Sequence, residues 1–176
     1  RGRSLTGMVA RPPAGTIPEG PGSYQFKDRE GRVIYVGKAS SLRQRLSNYF
    51  LDPRNMHVRT AQMVATAETV EWMQVANEVE ALMLEYSLIK QHRPRFNIIL
   101  RDDKSFPHIL IREDHEAPQA LKHRGAKRTK GQYFGPFASA GAVDATLDTL
   151  QKAFLLRTCT DNIYATRSRP CMLHQM

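Results

Sequence analysis

Gly22-Ser23-Tyr24-Gln25-Phe26-Lys27, then Asp28-Arg29-Glu30-Gly31, then Arg32-Val33-Ile34-Tyr35-Val36-Gly37 is the stretch that decides the fold. Its flanks are rich in aromatic and β-branched residues, and the four residues between them are turn formers, with Gly31 able to take positive φ at no steric cost. The pattern predicts an antiparallel hairpin. With Lys27 facing Arg32 across the loop, Tyr24 falls opposite Tyr35, their Cβ atoms about 4.5–5.5 Å apart, and the two phenols share a face. Ser23 and Val36 point to the other face. A cross-strand aromatic pair can simply be packing, so its meaning depends on what the chain brings beside it.

Just beyond Gly37 come Lys38 and then Ser41-Leu42-Arg43-Gln44, a capping-box pattern that opens a helix. Leu42, Leu46, Tyr49 and Phe50 make the apolar stripe of that helix, and Arg45 and Tyr49, four residues apart, are neighbours on its flank. Lys38, Arg45 and Tyr49 therefore converge on the tyrosine pair. A guanidinium held among phenols can grip a phosphate through two N–H groups. Residues 58–67 read as a second helix with Met63, Val64 and Ala67 inward, and residues 69–75 as a third strand with Val70, Trp72 and Gln74 on one face. An α+β class follows: a small antiparallel sheet of about three strands, flanked by helices.

Residues 77–92 read as a helix with Asn77 as N-cap and a stop at Arg93-Pro94, because proline disfavours helical geometry in the residue before it. Glu85 is out of place on it. Its neighbours three and four positions away are Ala81, Leu82, Leu88 and Ile89, so its carboxylate leaves from the apolar face, away from Glu78 and Lys90. Burying an unpaired carboxylate costs several kcal/mol. Either Glu85 forms a salt bridge to Arg45 or Arg95, or it is a ligand for a hard divalent cation such as Mg²⁺ or Mn²⁺, which takes few carboxylates and completes its shell with water and phosphate oxygens.

The C-terminal half reads as an α/β extension: a strand at 106–112, a basic loop at 122–130, and a helix at 138–154 with Val143, Leu147, Leu150 and Phe154 at helical spacing. Lys122, Arg124, Lys127, Arg128 and Lys130, followed by Tyr133 and Phe134, form a basic stretch beside aromatics suited to nucleic-acid contact. Across 176 residues the formal net charge is +9, which favours an anionic partner, nucleic acid above all. No apolar run approaches the roughly 18 residues needed to span a bilayer, so a soluble, cytoplasmic protein is expected, without a membrane partner. Arg1 to Gly15, with Pro12-Pro13, lacks periodic apolar patterning and reads as a flexible lead-in.

Taken together, Tyr35-Val36-Gly37-Lys38, Arg45-Leu46 with Tyr49-Phe50, Glu80-Ala81-Leu82 through Leu84-Glu85, and Arg93-Pro94-Arg95-Phe96-Asn97 resemble the GIY-YIG nuclease superfamily, although Ser23 and Val36 stand where its name implies isoleucine. Arg101-Asp102-Asp103-Lys104-Ser105-Phe106-Pro107, Tyr133-Phe134-Gly135-Pro136-Phe137 and Arg157-Thr158-Cys159 extend the likeness to the UvrC family of bacterial nucleotide excision repair. The resemblance implies a nuclease domain over 16–100, an extension over 101–158, and a Cys-containing segment over 159–176, expected to be poorly ordered. It implies a metal-dependent phosphodiesterase acting on damaged double-stranded DNA on the 3′ side of the lesion, with UvrB as partner and UvrA upstream; separately, a monomer is expected. Family members also carry further domains and two more cysteines, so the chain is expected to be a fragment in which Cys159 and Cys171 hold no intact iron–sulfur cluster.

The expected roles divide as follows. Tyr35 is the general base, with Lys38 or Arg45 lowering its pKa or with the proton relayed onward; Arg45 and Lys38 meet phosphate; Tyr24 and Tyr49 orient water and phosphate; Glu85 binds the metal; Asn97 orders the site. The rivals are a non-catalytic DNA-binding or UvrB-docking module and a homing or restriction endonuclease of the same superfamily.

Overall fold

The computed structural model describes residues 9–98, 100, 104–114, 116–154, 156 and 165. The chain forms two compact units, dividing after Ile98. Arg1 to Met8 of the lead-in, and Cys159, Cys171 and nearly all of the segment around them, lie outside the described residues.

In the first unit, β1 (Gly22–Lys27) pairs antiparallel with β2 (Val33–Ala39) on one side and β3 (Thr69–Gln74) on the other, in the order β2-β1-β3. Helix α1 (Leu42–Ser47) follows β2 after a two-residue break, with the Ser41 hydroxyl accepting from the Gln44 amide. It tightens into a 3₁₀ turn over Asn48–Phe50 instead of continuing as one helix. Helix α2 is Val58–Thr66, with Met63, Val64 and the capping Ala67 buried. Helix α3 (Glu78–His92) begins at Asn77, whose side chain accepts from the Glu80 amide, and ends at Arg93, which takes the left-handed conformation with φ 44°.

The core lies where Tyr24, Phe26, Leu42, Leu46, Tyr49 and Met63 meet. Fully burying one such side chain contributes about 1.5–3 kcal/mol before the entropy of ordering it is counted. Leu42 and Leu46 are both completely buried, which is what locks α1 onto the sheet.

The hairpin register differs from the one read from sequence. Tyr24 pairs with Gly37, and Tyr35 pairs with Phe26, a shift of two residues from the expected Tyr24 and Tyr35 match. The loop is longer because the Asp28 carboxylate accepts from the Glu30 and Arg32 amides, each at 3.0 Å, and Asp28 N–H donates to the Arg32 carbonyl. An irregularity between Phe26 and Lys27 pairs Lys27 with Val33 and leaves Ile34 as the extra residue. A shift of two preserves side-chain parity, so both phenols still lie on one face, as diagonal neighbours.

The second unit contains β4 (His108–Arg112), β5 (Gln119–His123) and β6 (Gly131–Phe134) in the order β5-β4-β6, with α4 (Ala140–Ala153) packed on β5 and β4. Val143 and Leu147 are buried, whereas Phe154, expected on the same stripe, lies past the helix end and is 69% exposed. The basic stretch is not one loop: Lys122 sits in β5. Among the described residues no helix is long and apolar enough to cross a membrane.

Candidate active site

Tyr24 occupies the middle of the central strand and is buried, so its phenol must find a partner. Its hydroxyl lies 2.8 Å from the Tyr49 hydroxyl and accepts from Arg45 Nε at 3.2 Å. Tyr35 joins from β2, with ring centroids 6.3 Å from Tyr24 and 6.4 Å from Tyr49. Arg45 stands over the Tyr49 ring at 5.4 Å, the contact that their four-residue spacing on one helical turn allows. Three phenols and one guanidinium thus share a cluster whose Arg45 side opens on a cleft of about 290 Å³, lined also by Lys38, Ser40, Gln44 and Asn48.

Gly37 makes the cluster possible. The Tyr24 phenol lies directly against it, and a Cβ there would overlap the ring and hydroxyl. The buried Ser23 hydroxyl donates to the Gly37 carbonyl at 2.9 Å and fixes that backbone. Neither residue was selected from sequence as part of the site, though a glycine inside a strand is the sign of such a close approach.

Burial dominates the phenol chemistry. It pushes the Tyr24 pKa up to about 12, with the neighbouring Tyr35 adding to the rise and the Tyr49 and Arg45 hydrogen bonds pulling it back. Tyr35 and Tyr49 are raised further, again by burial first. This corrects the expectation that Lys38 or Arg45 brings the Tyr35 pKa down. Arg45 does favour its phenolate, but burial and Tyr49 outweigh it, and the guanidinium bonds Tyr24 instead. Arg45 itself is held above its usual range by Tyr24.

Glu85 projects from α3 and is half-buried, next to the buried Ala81 and Leu82 on that helix. Burial raises its pKa to about 7, partly offset by the Lys38 charge, the Lys38 backbone N–H and the Arg45 charge. Among the described residues Glu85 forms no ion pair, so neither Arg45 nor Arg95 neutralises it as a salt bridge would. No group of three or more His, Cys, Asp or Glu able to hold a metal occurs among the described residues. Glu78 and Ala81 of the same helix line the Arg45 cleft, and Glu85, one turn beyond Ala81, is a carboxylate that fits a hard cation which keeps its waters and takes substrate oxygens.

Asn97 stays outside the tyrosine cluster. Its Oδ1 accepts from Val36 N–H at 2.9 Å and its Nδ2 donates to the Val36 carbonyl at 2.8 Å, while Phe96 N–H donates to the Ile34 carbonyl. It clamps β2 between Tyr35 and Gly37, a positioning role. Arg59, not singled out from sequence, donates to the Phe96 and Arg95 carbonyls and steadies that segment.

In the second unit Lys122 pairs with Asp144 at 2.7 Å, and Arg124 donates to the Lys104 and Ser105 carbonyls. Lys127 lies over the Tyr133 ring at 5.8 Å. Of the five basic residues, Arg128 and Lys130 are left exposed without an ion pair among the described residues.

A phenol-rich hairpin, a helix-borne arginine and an isolated carboxylate make up the candidate site, and residues 20–98 match the family model described as the UvrC-like GIY-YIG domain. Residues 106–176 match the model of the UvrC/Cho excinuclease middle domain. UvrABC system protein C of Hyphomonas neptunium is 56% identical over 91% of this chain and 26% of that protein; the same protein of Rhizobium etli is 55% identical over 91% and 23%. The chain belongs to the UvrC family, and it spans about a quarter of the length of the curated relatives it matches. The GIY-YIG N-terminal endonuclease domain of UvrC from Thermotoga maritima, solved bound to its catalytic divalent cation, magnesium, is 38% identical, with a TM-score of 0.43 over 47% of this chain and 89% of that one.

Proposed function

We propose that this chain is a divalent-metal-dependent DNA endonuclease unit that hydrolyses a phosphodiester on the 3′ side of a lesion already marked by UvrB, downstream of UvrA. The observation that carries the reading is Glu85: a half-buried carboxylate without an ion pair among the described residues, beside a cluster of three phenols and Arg45. Such a group is costly unless a cation completes it.

Arg45 and Lys38 bind the phosphate at the cleft, and Arg45 tightens its hold as charge builds on the phosphoryl oxygens. Tyr24 and Tyr49 are tied to each other and to Arg45, so they fix the guanidinium and orient the attacking water. With its pKa raised, Tyr35 is not a stored phenolate; it takes the water's proton only while passing its own toward Tyr49 and solvent. Glu85 would hold Mg²⁺ or Mn²⁺, which when bound supplies Lewis-acid stabilisation of the leaving 3′ oxygen. Asn97 keeps β2, and hence Tyr35, in place through Val36.

Single-turnover cleavage of an end-labelled, lesion-bearing duplex loaded with UvrA and UvrB tests this, with Mg²⁺ present or chelated. Incision on the 3′ side that needs both the cation and Glu85 is expected. Cleavage surviving in Glu85→Ala, or in chelator, would overturn the assignment.

A further inference from the structure

The first unit has a second cleft, of about 600 Å³, at the other end of the hairpin from Gly37, and nothing in the proposed chemistry uses it. Its walls come from Lys27, Arg32, His92, Arg93 and Arg95, with Asp28 the one acidic residue among the lining. Asp28 is already satisfied, by two backbone amides and by Arg32 Nε at 2.9 Å, and Lys27 is paired with Glu71 at 2.8 Å. Arg93 and Arg95 are different. Both are exposed, and neither has an acidic partner among the described residues.

The backbone that carries these two arginines is firmly built. Arg93 closes α3 in the left-handed conformation, its N–H donating to Ile89. Pro94 is buried, the Arg95 carbonyl accepts from Arg59 at 3.1 Å, and the Arg95 guanidinium lies 5.2 Å over the Phe96 ring. Phe96 and Asn97 then bond the edge of β2. The backbone of both arginines, and the guanidinium of Arg95, are thus held on the same segment that positions Tyr35.

We propose that the Arg93 and Arg95 cleft is a second phosphate-backbone site for DNA, distinct from the cleft at Arg45. From Val33 at this end to Gly37 at the other, β2 spans about 13 Å at roughly 3.3 Å per residue. Measured along the helix axis of a duplex, that equals about four base-pair steps at 3.4 Å each. Contact at both places fixes the direction of the strand across the hairpin as well as the phosphate to be cut. The choice of DNA as the anion rests on the function proposed above; the existence of the cationic cleft does not. The competing role for these arginines is to neutralise the carbonyl end of α3, where Lys90 and His92 already lie.

The test is equilibrium binding of the protein to a lesion-free duplex of about 20 base pairs over a range of salt concentrations, a length that covers both clefts. Arg93→Asn keeps a residue that tolerates the left-handed conformation, and Arg95→Gln leaves the main-chain bonds to Arg59 in place. The double variant is expected to lower the slope of log affinity against log salt by about 2, and each single variant by about 1. Affinity should fall roughly tenfold for the double variant, with the melting temperature within a few degrees of the parent. An unchanged slope overturns the proposal, and a lowered melting temperature with that unchanged slope assigns the arginines to the end of α3. If the double variant does not fold, the single Arg95→Gln variant decides on the same readout. Parent protein without salt-dependent DNA binding would sink this proposal and the DNA reading together, whereas a normal parent slope with an unaltered variant sinks this proposal alone.

Discussion

The two units are built on the same plan, a three-stranded antiparallel sheet with its first strand in the centre, and among the described residues only the first gathers phenols, a guanidinium and a half-buried carboxylate. In the first unit the central strand buries Tyr24 beside two further phenols and an arginine, and a nearby helix keeps a carboxylate half out of water. In the second unit the buried residues of the corresponding strand are His108, Ile109 and Leu110, with no phenol or guanidinium buried beside them among the described residues, while Lys122 and Lys152 are paired with acids and Arg124 with carbonyls. The sheet does not confer the chemistry. What does is a set of polar groups taken out of water and left needing one another, or a ligand.

The sharpest way to break that comparison is Glu85→Ala. Loss of a metal ligand worth several kcal/mol at the transition state should lower single-turnover cleavage by about 10³-fold or more, at about tenfold per 1.4 kcal/mol, while thermal stability in chelator holds or rises slightly. A large loss of stability would instead make Glu85 a structural residue of the same kind as Asp144.

Tyr35→Phe removes a hydroxyl and keeps the packing. Cleavage should fall roughly 10²-fold with DNA affinity and its salt dependence retained, as read by single-turnover rates beside equilibrium binding. Gly37→Ala should be comparably costly to cleavage and also cost about 1–3 kcal/mol of stability, because the new methyl displaces the Tyr24 phenol. Gly31→Ala, at a turn with open space and φ 77°, strains the backbone alone and should leave the rate near the parent's.

The pH dependence follows from Glu85. Its folded pKa, about 7, is above the ordinary value of 4.5, so the folded chain without metal holds this proton more tightly than the unfolded chain does. That stabilisation is complete below about pH 4.5 and is lost as pH rises through about 7. A divalent cation competes for the deprotonated form, so Mg²⁺ should raise the melting temperature by a few degrees at pH 8 and scarcely at pH 5.5. Glu85→Gln should flatten both profiles. The smallest effect is expected at Arg128 and Lys130 in the second unit, where alanine should change DNA affinity no more than about threefold, as measured by salt-controlled titration.

Much of this was readable where the determinants are local. Ser41 with Gln44, and Asn77 ahead of α3, announce their helices because a cap is a contact between near neighbours. The displacement of Glu85 from the polar face follows from helical periodicity alone. The hairpin register was not readable, since it turns on Asp28 gathering two amides and on an extra residue within the β-branched run Val33-Ile34. The end of strand β5 is hidden by charge: Lys122 and Arg124 read as loop residues until Asp144 and the carbonyls of Lys104 and Ser105 are in place to receive them. The direction of the Tyr35 pKa is hidden for a related reason, because proximity to Arg45 follows from spacing and burial does not.

The clamp of Asn97 and Phe96 on β2 has a further consequence. β2 is an edge strand, and an exposed edge presents amides and carbonyls to which another chain can add a strand. Here the Ile34 carbonyl and both main-chain groups of Val36 are already occupied from within the same molecule. Asn97→Ala should therefore do more than loosen Tyr35. It reopens a template for intermolecular sheet extension, and concentration-dependent self-association in light scattering is where that would be seen.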